Sequence, residues 1–394
     1  TMAKIVSTTG NSALAYAMKQ IDPDVCAAYP ITPSTQVMEE FSKYVADGVV
    51  NTNLVAVESE HSAMSACVGA AAAGGRVITA TSANGMALMW EMLYIAAGMR
   101  LPITLALVNR ALSAPINIHC DHSDSFGARD TGWIQLYSEN AQEAYDNMIM
   151  AIRIGEHDDV RLPVMVCQDG FIISHSIERM EYLEDEEVRK FVGPFKPKYA
   201  LLDYDNPVTL GSLDLQDYYI EHKREQHEAY KRALPVIDQV TREFAALTGR
   251  SYGMFESYHL DDAEIAVVVV NSSAGTMTDI VDQYRNKGVK VGLLKPRVFR
   301  PFPMADYAKA LSHLKAITVM DRVDSFGAPA GPLAMEVRSA LYDLPKRPVT
   351  ISKIYGLGGR DLEEQHCQYV LDELVQVAKT GKYANLCEYI TVRE

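Results

Sequence analysis

No two cysteines in this chain stand in the Cys-x-x-Cys spacing that zinc and iron–sulfur sites use. The six, Cys26, Cys67, Cys120, Cys167, Cys367 and Cys387, are scattered over 394 residues. No local cluster motif is available, and a reduced, cytoplasmic polypeptide is expected. Long apolar runs are missing too: none approaches the roughly 18 consecutive apolar residues of a membrane helix. No basic segment leads into an apolar one at the N-terminus, so a secretory leader is not expected. Thr1 ahead of Met2 reads as an appended residue. Positive charge is in deficit, with 37 Lys and Arg against 51 Asp and Glu. The formal net charge of −14 argues against nucleic acid and anionic membranes as partners. Neither a Walker P-loop nor a Rossmann glycine fingerprint occurs.

What is present is alternation. A chain of 394 residues is too long for one ordinary core, so two domains are expected. Apolar runs at 25–29, 54–57, 76–81, 103–108 and 162–167 read as strands. Amphipathic stretches at 33–46, 62–73, 86–99 and 141–154 read as the helices between them. Continuous apolar strands separated by helices predict a parallel sheet covered on both faces. The small residues Ala63, Ala66 and Ala70 to Ala73 suit close packing against a sheet or a partner. From about 175 to 250 the pattern weakens. The charge run 178–190 and the stretch 191–215, a mix of Pro, Gly, Asp and Tyr, read as a solvated extension, with an arm embracing another subunit as the alternative. Residues 218–246 then read as one long helix. Alternation restarts with strands at 263–270, 289–294, 316–320 and 349–355, and helices at 278–287, 304–314, 331–342 and 361–379. The expected fold is therefore α/β with two doubly wound units. These are 1–250, ending in an extended arm at about 175–250, and 251–394.

Several loops at strand ends carry residues suited to chemistry, and in open α/β sheets ligands bind outside the carboxyl ends of the strands. Tyr29-Pro30-Ile31-Thr32-Pro33-Ser34-Thr35 follows the first apolar run. Two prolines stiffen it, and Thr32 puts a hydroxyl at its centre. Thr32 also fits the N-cap of the next helix, with Pro33 at the first helical position. Gly48 closes that helix. Glu60 follows the second strand, either as a catalytic carboxylate or as an acid favoured by the helix macrodipole. Arg110 ends the 103–108 strand. A guanidinium there can grip a carboxylate in a bidentate fork, or simply end the strand at the surface. Ser82-Ala83-Asn84-Gly85 opens a further helix, as a ligand-facing or a structural turn. The loop 111–130 is long and polar for a compact domain, which marks function or flexibility. Its His119, Cys120, Asp121, His122 and Asp124 form too irregular a set to be assigned as metal ligands.

Together these segments resemble a known family. The stretch 29–35 is followed by Val57-Glu58-Ser59-Glu60-His61-Ser62-Ala63 and Val108-Asn109-Arg110-Ala111-Leu112-Ser113-Ala114-Pro115. Then come Arg129-Asp130-Thr131-Gly132-Trp133, Arg300-Pro301-Phe302-Pro303 and Gly356-Leu357-Gly358-Gly359-Arg360. Their order is that of the 2-oxoacid:ferredoxin oxidoreductases, and they span nearly the whole chain. The resemblance implies the alpha subunit of a pyruvate-using member. Its two units would be a thiamine-diphosphate pyrimidine-binding domain and a transketolase C-terminal-like domain. The assembled enzyme would decarboxylate pyruvate on thiamine diphosphate, pass electrons to ferredoxin and the acetyl group to coenzyme A, or run the reverse. Glu60 would sit beside N1′ of the aminopyrimidine and favour the tautomer that removes the C2 proton, with Glu58 as the second candidate. Arg110 would bind the substrate carboxylate. Thr32 would hydrogen-bond the substrate, and a Thr there points away from oxalate. Tyr29, Pro30, Ile31 and Asn84 would line the cofactor. Asn117 and His122 would belong to a lid over the pocket.

The resemblance also gives the missing motifs a meaning. The cofactor's diphosphate is usually anchored through Mg²⁺ by Gly-Asp-Gly followed by an Asn. Asp47-Gly48 and Asp169-Gly170 both lack the preceding glycine. The chain is therefore expected to hold half a cofactor site. A beta subunit would supply the diphosphate half and its Mg²⁺, partner subunits would carry the [4Fe-4S] clusters, and beta, gamma and delta subunits would complete a dimer of heterotetramers. A sister enzyme for branched-chain 2-oxoacids shares these motifs. The beta component of a 2-oxoacid dehydrogenase shares the domain pair but lacks Tyr-Pro-Ile-Thr-Pro. A non-catalytic scaffold is opposed by the placing of Thr32, Glu60 and Arg110, each at a strand's carboxyl end.

Overall fold

Strands too apolar to face water on either side build the centre of the molecule. The computed structural model describes residues 4–393, and Thr1 and Met2 lie outside the described residues. The first part contains β1 (Lys4–Thr9), α1 (Gly10–Ile21), β2 (Val25–Ala28), α2 (Thr35–Ala46), β3 (Asn53–Ala56), α3 (Glu60–Ala73), β4 (Val77–Thr81), α4 (Ala83–Leu88) and α5 (Trp90–Gly98). It continues with β5 (Thr104–Asn109), α6 (Ser123–Gly127), β6 (Ile134–Ser138), α7 (Ala141–Glu156), β7 (Val164–Asp169), β8 (Ile177–Tyr182), α8 (Asp185–Val192) and α9 (Tyr219–Thr248). Among the described residues the first sheet runs β12-β6-β7-β5-β4-β2-β3, where β12 is Val298–Arg300. Every pairing in it is parallel except that of β12 with β6. Every residue of β4, β5 and β7 is buried, as a sheet with helices on both faces requires. Edge strand β3 is exposed along its whole length.

One helix is added here and two expectations are corrected. Residues 10–21 form α1, which Thr9 caps by accepting from the Ser12 N–H at 3.2 Å, and Ala13, Leu14, Ala17, Met18 and Ile21 are buried. The helix expected at 86–99 is two helices, α4 and α5, that meet at Met89. The charge run 178–190 is not a solvated extension. Its first half is β8, paired antiparallel with β1, and its second half lies in α8, which packs on α1 and α7. Met180, Tyr182, Val188 and Val192 are interleaved with the charges and buried, so acidic composition hid two amphipathic elements. Residues 194–218 form no helix or strand, and large apolar side chains such as Tyr204 and Leu213 stand 83% and 90% exposed there.

The second part contains β9 (Phe255–Tyr258), β10 (Ile265–Val269), α10 (Ser273–Asn286), β11 (Val291–Pro296), then β12, α11 (Met304–Leu311), β13 (Ala316–Asp321), α12 (Pro332–Leu341), β14 (Val349–Ile354), α13 (Glu364–Thr380) and β15 (Cys387–Tyr389). Its sheet runs β15-β14-β13-β10-β11-β9, with only β9 antiparallel. Alternation along β10 divides its core. Ile265, Val267 and Val269 pack with side chains of α10 and α13, while Ala266 and Val268 join a cluster that continues through Phe299 to Phe126, Trp133 and Tyr137 of the first part. A cut after residue 250 is therefore not clean: β12 belongs to the first sheet, and apolar packing runs unbroken across the seam. No helix among the described residues is long and apolar enough to cross a membrane.

Candidate active site

Strands β5, β4, β2 and β3 are neighbours, and the loops leaving their carboxyl ends carry Arg110, Ser82–Gly85, Thr32 and Glu60 in that order. The sheet thus gathers residues far apart in sequence onto one rim.

Glu60 is the first residue of α3. Ser59 caps that helix by accepting from the Ser62 N–H at 3.2 Å, and this fixes where the Glu60 side chain leaves the backbone. Glu60 is 7% exposed, and its carboxylate has no hydrogen-bond partner among the described residues. Glu58 is exposed, and its Oε1 accepts from the Ser62 hydroxyl at 3.0 Å. Of the two acids, Glu60 is therefore the one held inside and unengaged. Gly85 makes room for it. A Cβ there would stand 2.8 Å from Glu60 Cγ and Oε1, and 2.5 Å from Thr81 Oγ1. Thr81 Oγ1 and Ser82 Oγ are buried without partners. Buried polar groups normally find partners, so a carboxylate and the orphan Thr81 hydroxyl packed against one glycine describe a cradle for a polar ring with donors and acceptors. An aminopyrimidine fits that donor set.

Arg110 and Thr32 come together directly. Arg110 is 6% exposed. Its Nη1 donates to the Thr32 carbonyl at 2.8 Å, and its Nε donates to the Asn117 carbonyl at 2.7 Å. Nη2 has no partner among the described residues and remains available to an anion. Thr32 is not the helix cap. Helix α2 begins at Thr35 with Ser34 in the cap position, so Pro33 is not its first residue. The Ser34 N–H and hydroxyl both turn back to the Ile31 carbonyl, at 2.9 and 2.8 Å. This tight turn leaves the Thr32 hydroxyl exposed and unbonded among the described residues. Asn11 on α1 holds the turn from below, donating to the Pro33 carbonyl at 2.8 Å. Gly170 lets it pack close, since a Cβ there would meet Pro33 Cγ at 2.8 Å. Tyr29 and Pro30 are exposed and Ile31 is half-buried.

Asp124 knits the rim together. It accepts from the Ala83 and Arg110 N–H groups at 3.0 Å each, and from Asn109 Nδ2 at 2.8 Å. Burial pushes its carboxyl up to about 6, and the hydrogen bonds from Asn109, Arg110, Ala83 and Ser125 oppose that rise. Asn84 is exposed and clamps the next loop, donating to Ser113 Oγ at 2.9 Å and accepting from the Ser113 N–H at 3.1 Å. Asn117, half-buried, donates to the Gly358 carbonyl at 2.9 Å.

His122 does not face an open pocket. It is fully buried, and its Nε2 lies 2.7 Å from Asp169 Oδ1. Asn271 Nδ2 donates to the same oxygen at 2.8 Å, the Ser272 hydroxyl bonds Oδ2, and Arg322 reaches Oδ2 at 3.5 Å. Burial raises the Asp169 carboxyl, but the charge and hydrogen bond of His122, with Arg322 and Ser272, outweigh it and hold it well below the usual carboxylate range. Cys120, His122 and Asp169 offer donor atoms within 4.8 Å of one another. Both Asp169 oxygens are already engaged, a guanidinium stands beside them, and burial pushes the Cys120 thiol well up. The cluster is an ion-pair hub between the two parts of the chain, and its chemistry opposes a cation. Sequence reasoning missed Asn11, and it weighed Asp169 only as part of an incomplete diphosphate motif. It noticed Asp124 only as a metal-type residue, although its place 14 residues beyond Arg110 gave no sign of the backbone contacts.

Comparison with known proteins bears on this rim. Residues 16–242 match a family model described as pyruvate flavodoxin/ferredoxin oxidoreductase, thiamine diphosphate-binding. Residues 263–367 match one described as pyruvate:ferredoxin oxidoreductase core domain II. The chain is 53% identical to the pyruvate synthase subunit PorA of Thermotoga maritima, over 97% of this chain and 98% of that one. It is 43% identical to the ketoisovalerate oxidoreductase subunit VorA of Pyrococcus abyssi, over 96% and 95%. A solved 2-oxoglutarate:ferredoxin oxidoreductase from Magnetococcus marinus superposes with a TM-score of 0.74 at 19% identity, covering 95% of this chain and 66% of that one. That likeness is one of fold.

Proposed function

This chain belongs to the pyruvate flavodoxin/ferredoxin oxidoreductase family, and we propose that it serves pyruvate synthase as the subunit holding the cofactor's pyrimidine and the substrate's carboxylate. The observation that carries this reading is the join of Arg110 to Thr32 on the same rim as a buried, unengaged Glu60. The reaction converts pyruvate and coenzyme A to acetyl-coenzyme A, CO₂ and a proton, as two electrons leave for ferredoxin. Thiamine diphosphate, when bound, supplies the nucleophilic carbon and the electron sink.

This chain's residues do the rest of the work on their side of the site. Glu60 would hold a proton at N1′ of the aminopyrimidine, with the Thr81 hydroxyl beside it in the cradle. Arg110 Nη2, with the second hydrogen of Nη1, binds the substrate carboxylate. The Thr32 hydroxyl orients the keto oxygen. Tyr29, Pro30 and Ile31 shield the ring from water, and Asn84 keeps the neighbouring loop in place.

The relatives are named as subunits, so the enzyme is a multi-subunit one. A beta subunit with the diphosphate motif and Mg²⁺ would complete the site, and the beta, gamma and delta partners would carry the [4Fe-4S] clusters. Exposed Tyr29, Leu54 and Val55 beside the rim, and the apolar 199–220 segment, supply surface for such partners in a dimer of heterotetramers. Six unpaired thiols suit a cytoplasmic enzyme.

The relative that uses ketoisovalerate makes the branched-chain reading the second one. The assembled enzyme, assayed for ferredoxin reduction with pyruvate and with 3-methyl-2-oxobutanoate, separates them. The expected kcat/KM favours pyruvate by at least about tenfold, which is about 1.4 kcal/mol. The reverse preference makes this a branched-chain enzyme.

A further inference from the structure

The motif Gly356-Leu357-Gly358-Gly359-Arg360 lies in the second part of the chain, 245 residues or more from Arg110, and the catalytic reading leaves it without a role. Its backbone is nevertheless bonded to the Arg110 loop. Gly358 offers its carbonyl to Asn117 Nδ2 at 2.9 Å and its N–H to Asp121 Oδ2 at 3.2 Å. The other Asp121 oxygen accepts from the Ser123 N–H at 2.9 Å. Asn117 Oδ1 accepts from the His119 N–H at 2.7 Å, so its amide plane is fixed at both ends. The Asn117 carbonyl is the acceptor for Arg110 Nε at 2.7 Å.

The glycines are required for this fit. Gly358 and Gly359 have φ of +62° and +81°. A Cβ on Gly358 would stand 2.4 Å from Asn117 Nδ2, and one on Gly359 would stand 2.4 Å from His119 Cβ. Positive φ alone asks for glycine. Contact this close asks, in addition, that the loop be seated there.

We propose that the 356–359 turn is a socket for the active-site loop, and that Asn117 and Gly358 are positioning residues that set the orientation of the Arg110 guanidinium through the Asn117 carbonyl. This rests on Arg110 binding the substrate carboxylate. Its consequence is that the second part of the chain helps to set affinity for pyruvate without touching it. A bidentate ion pair depends on the plane of the guanidinium, so a loop that drifts loses binding before it loses chemistry.

A double-mutant cycle on the reconstituted holoenzyme tests this, with KM and kcat for pyruvate as readouts. Asn117→Ala is expected to raise KM about tenfold and change kcat less than about threefold. Gly358→Ala should move KM in the same direction. Gly381→Ala is the control for backbone strain: its φ is +69°, but nothing lies within 4 Å of its Cβ position, so KM should not move. Arg110→Lys keeps the charge but removes the Nε donor, and in that background Asn117→Ala should add less than about twofold. An unchanged KM in Asn117→Ala overturns the proposal, and so do effects of Asn117→Ala and Arg110→Lys that simply multiply. Arg110→Ala identifies which layer has failed. If its kcat/KM stays near wild type, the carboxylate-binding role falls and the socket's role with it. If it collapses while Asn117→Ala is silent, only the socket is wrong.

Discussion

At the scale of single residues, the site depends on how few partners its charged groups have. Glu60 is buried and unengaged, so its carboxylate is free to share a proton with a bound ring. Glu60→Gln keeps shape and volume but cannot pass that proton. Exchange of the cofactor's C2 proton in the assembled enzyme, followed by NMR, should slow by about 10²–10⁴-fold, while cofactor affinity changes far less. Unchanged exchange moves the role elsewhere. Asp124 gives a pH prediction whose two signs differ. Its folded-state value of about 6 lies above the ordinary 3.8 of an unfolded aspartate. The folded chain therefore takes up this proton more readily than the unfolded one. The group's contribution to stability is full below about 4 and is lost as pH rises from 4 to 6. Protonation nevertheless removes an acceptor from the Ala83 and Arg110 N–H groups. Activity should fall on the acid side near pH 6, with no loss of thermal stability assignable to this residue. Comparing kcat/KM profiles of wild type and Asp124→Asn checks this: a limb that persists unshifted in the variant belongs to another group.

At the scale of elements, the rim is made by close approach. Helix α4 can pass Glu60 only because position 85 is glycine. Gly85→Ala must push aside Glu60 or Thr81, with an overpacking cost of about 1–3 kcal/mol. Thiamine diphosphate affinity of the assembled enzyme should weaken about tenfold or more by titration, with only a modest fall in Tm. Intact affinity would mean that the cradle is not the pyrimidine site. The parts of this geometry legible in the sequence were the ones with local signals. Apolar runs marked β4, β5 and β7 because those strands are buried on both faces, and a strand end followed by a polar residue marked Glu60 and Arg110. Helix α1 carries the same kind of signal, a Thr9 cap and a helical apolar stripe, ahead of the apolar run at 25–29. Elements β8 and α8 were hidden because charge outnumbers their four buried apolar residues. The Thr32 turn misled differently: a Thr-Pro pair before a helix has the look of a cap, whereas the Ile31 carbonyl recruits Ser34 and starts the helix later. The partners of Asp124, Asp169 and Gly358 depend on contacts between distant segments, and no spacing rule reports those.

At the scale of the whole molecule, two doubly wound units share one apolar seam. Strand β12 crosses it, and the Asp169 hub and the Gly358 socket pin the active-site loops to both sides. The rim that carries Glu60, Thr32 and Arg110 ends at an exposed edge strand, and the proposed pyrimidine cradle on it lacks the usual diphosphate motif. Most of the cofactor's charge lies on the diphosphate, so a chain with only the cradle should lose much of the binding energy. Calorimetry of the purified chain with thiamine diphosphate and Mg²⁺, with the partner subunits absent, tests this most directly. A split site predicts a Kd weaker than about 0.1 mM, roughly −5.5 kcal/mol, with tight binding restored when the beta subunit is added. Tight stoichiometric binding to the isolated chain would contradict it.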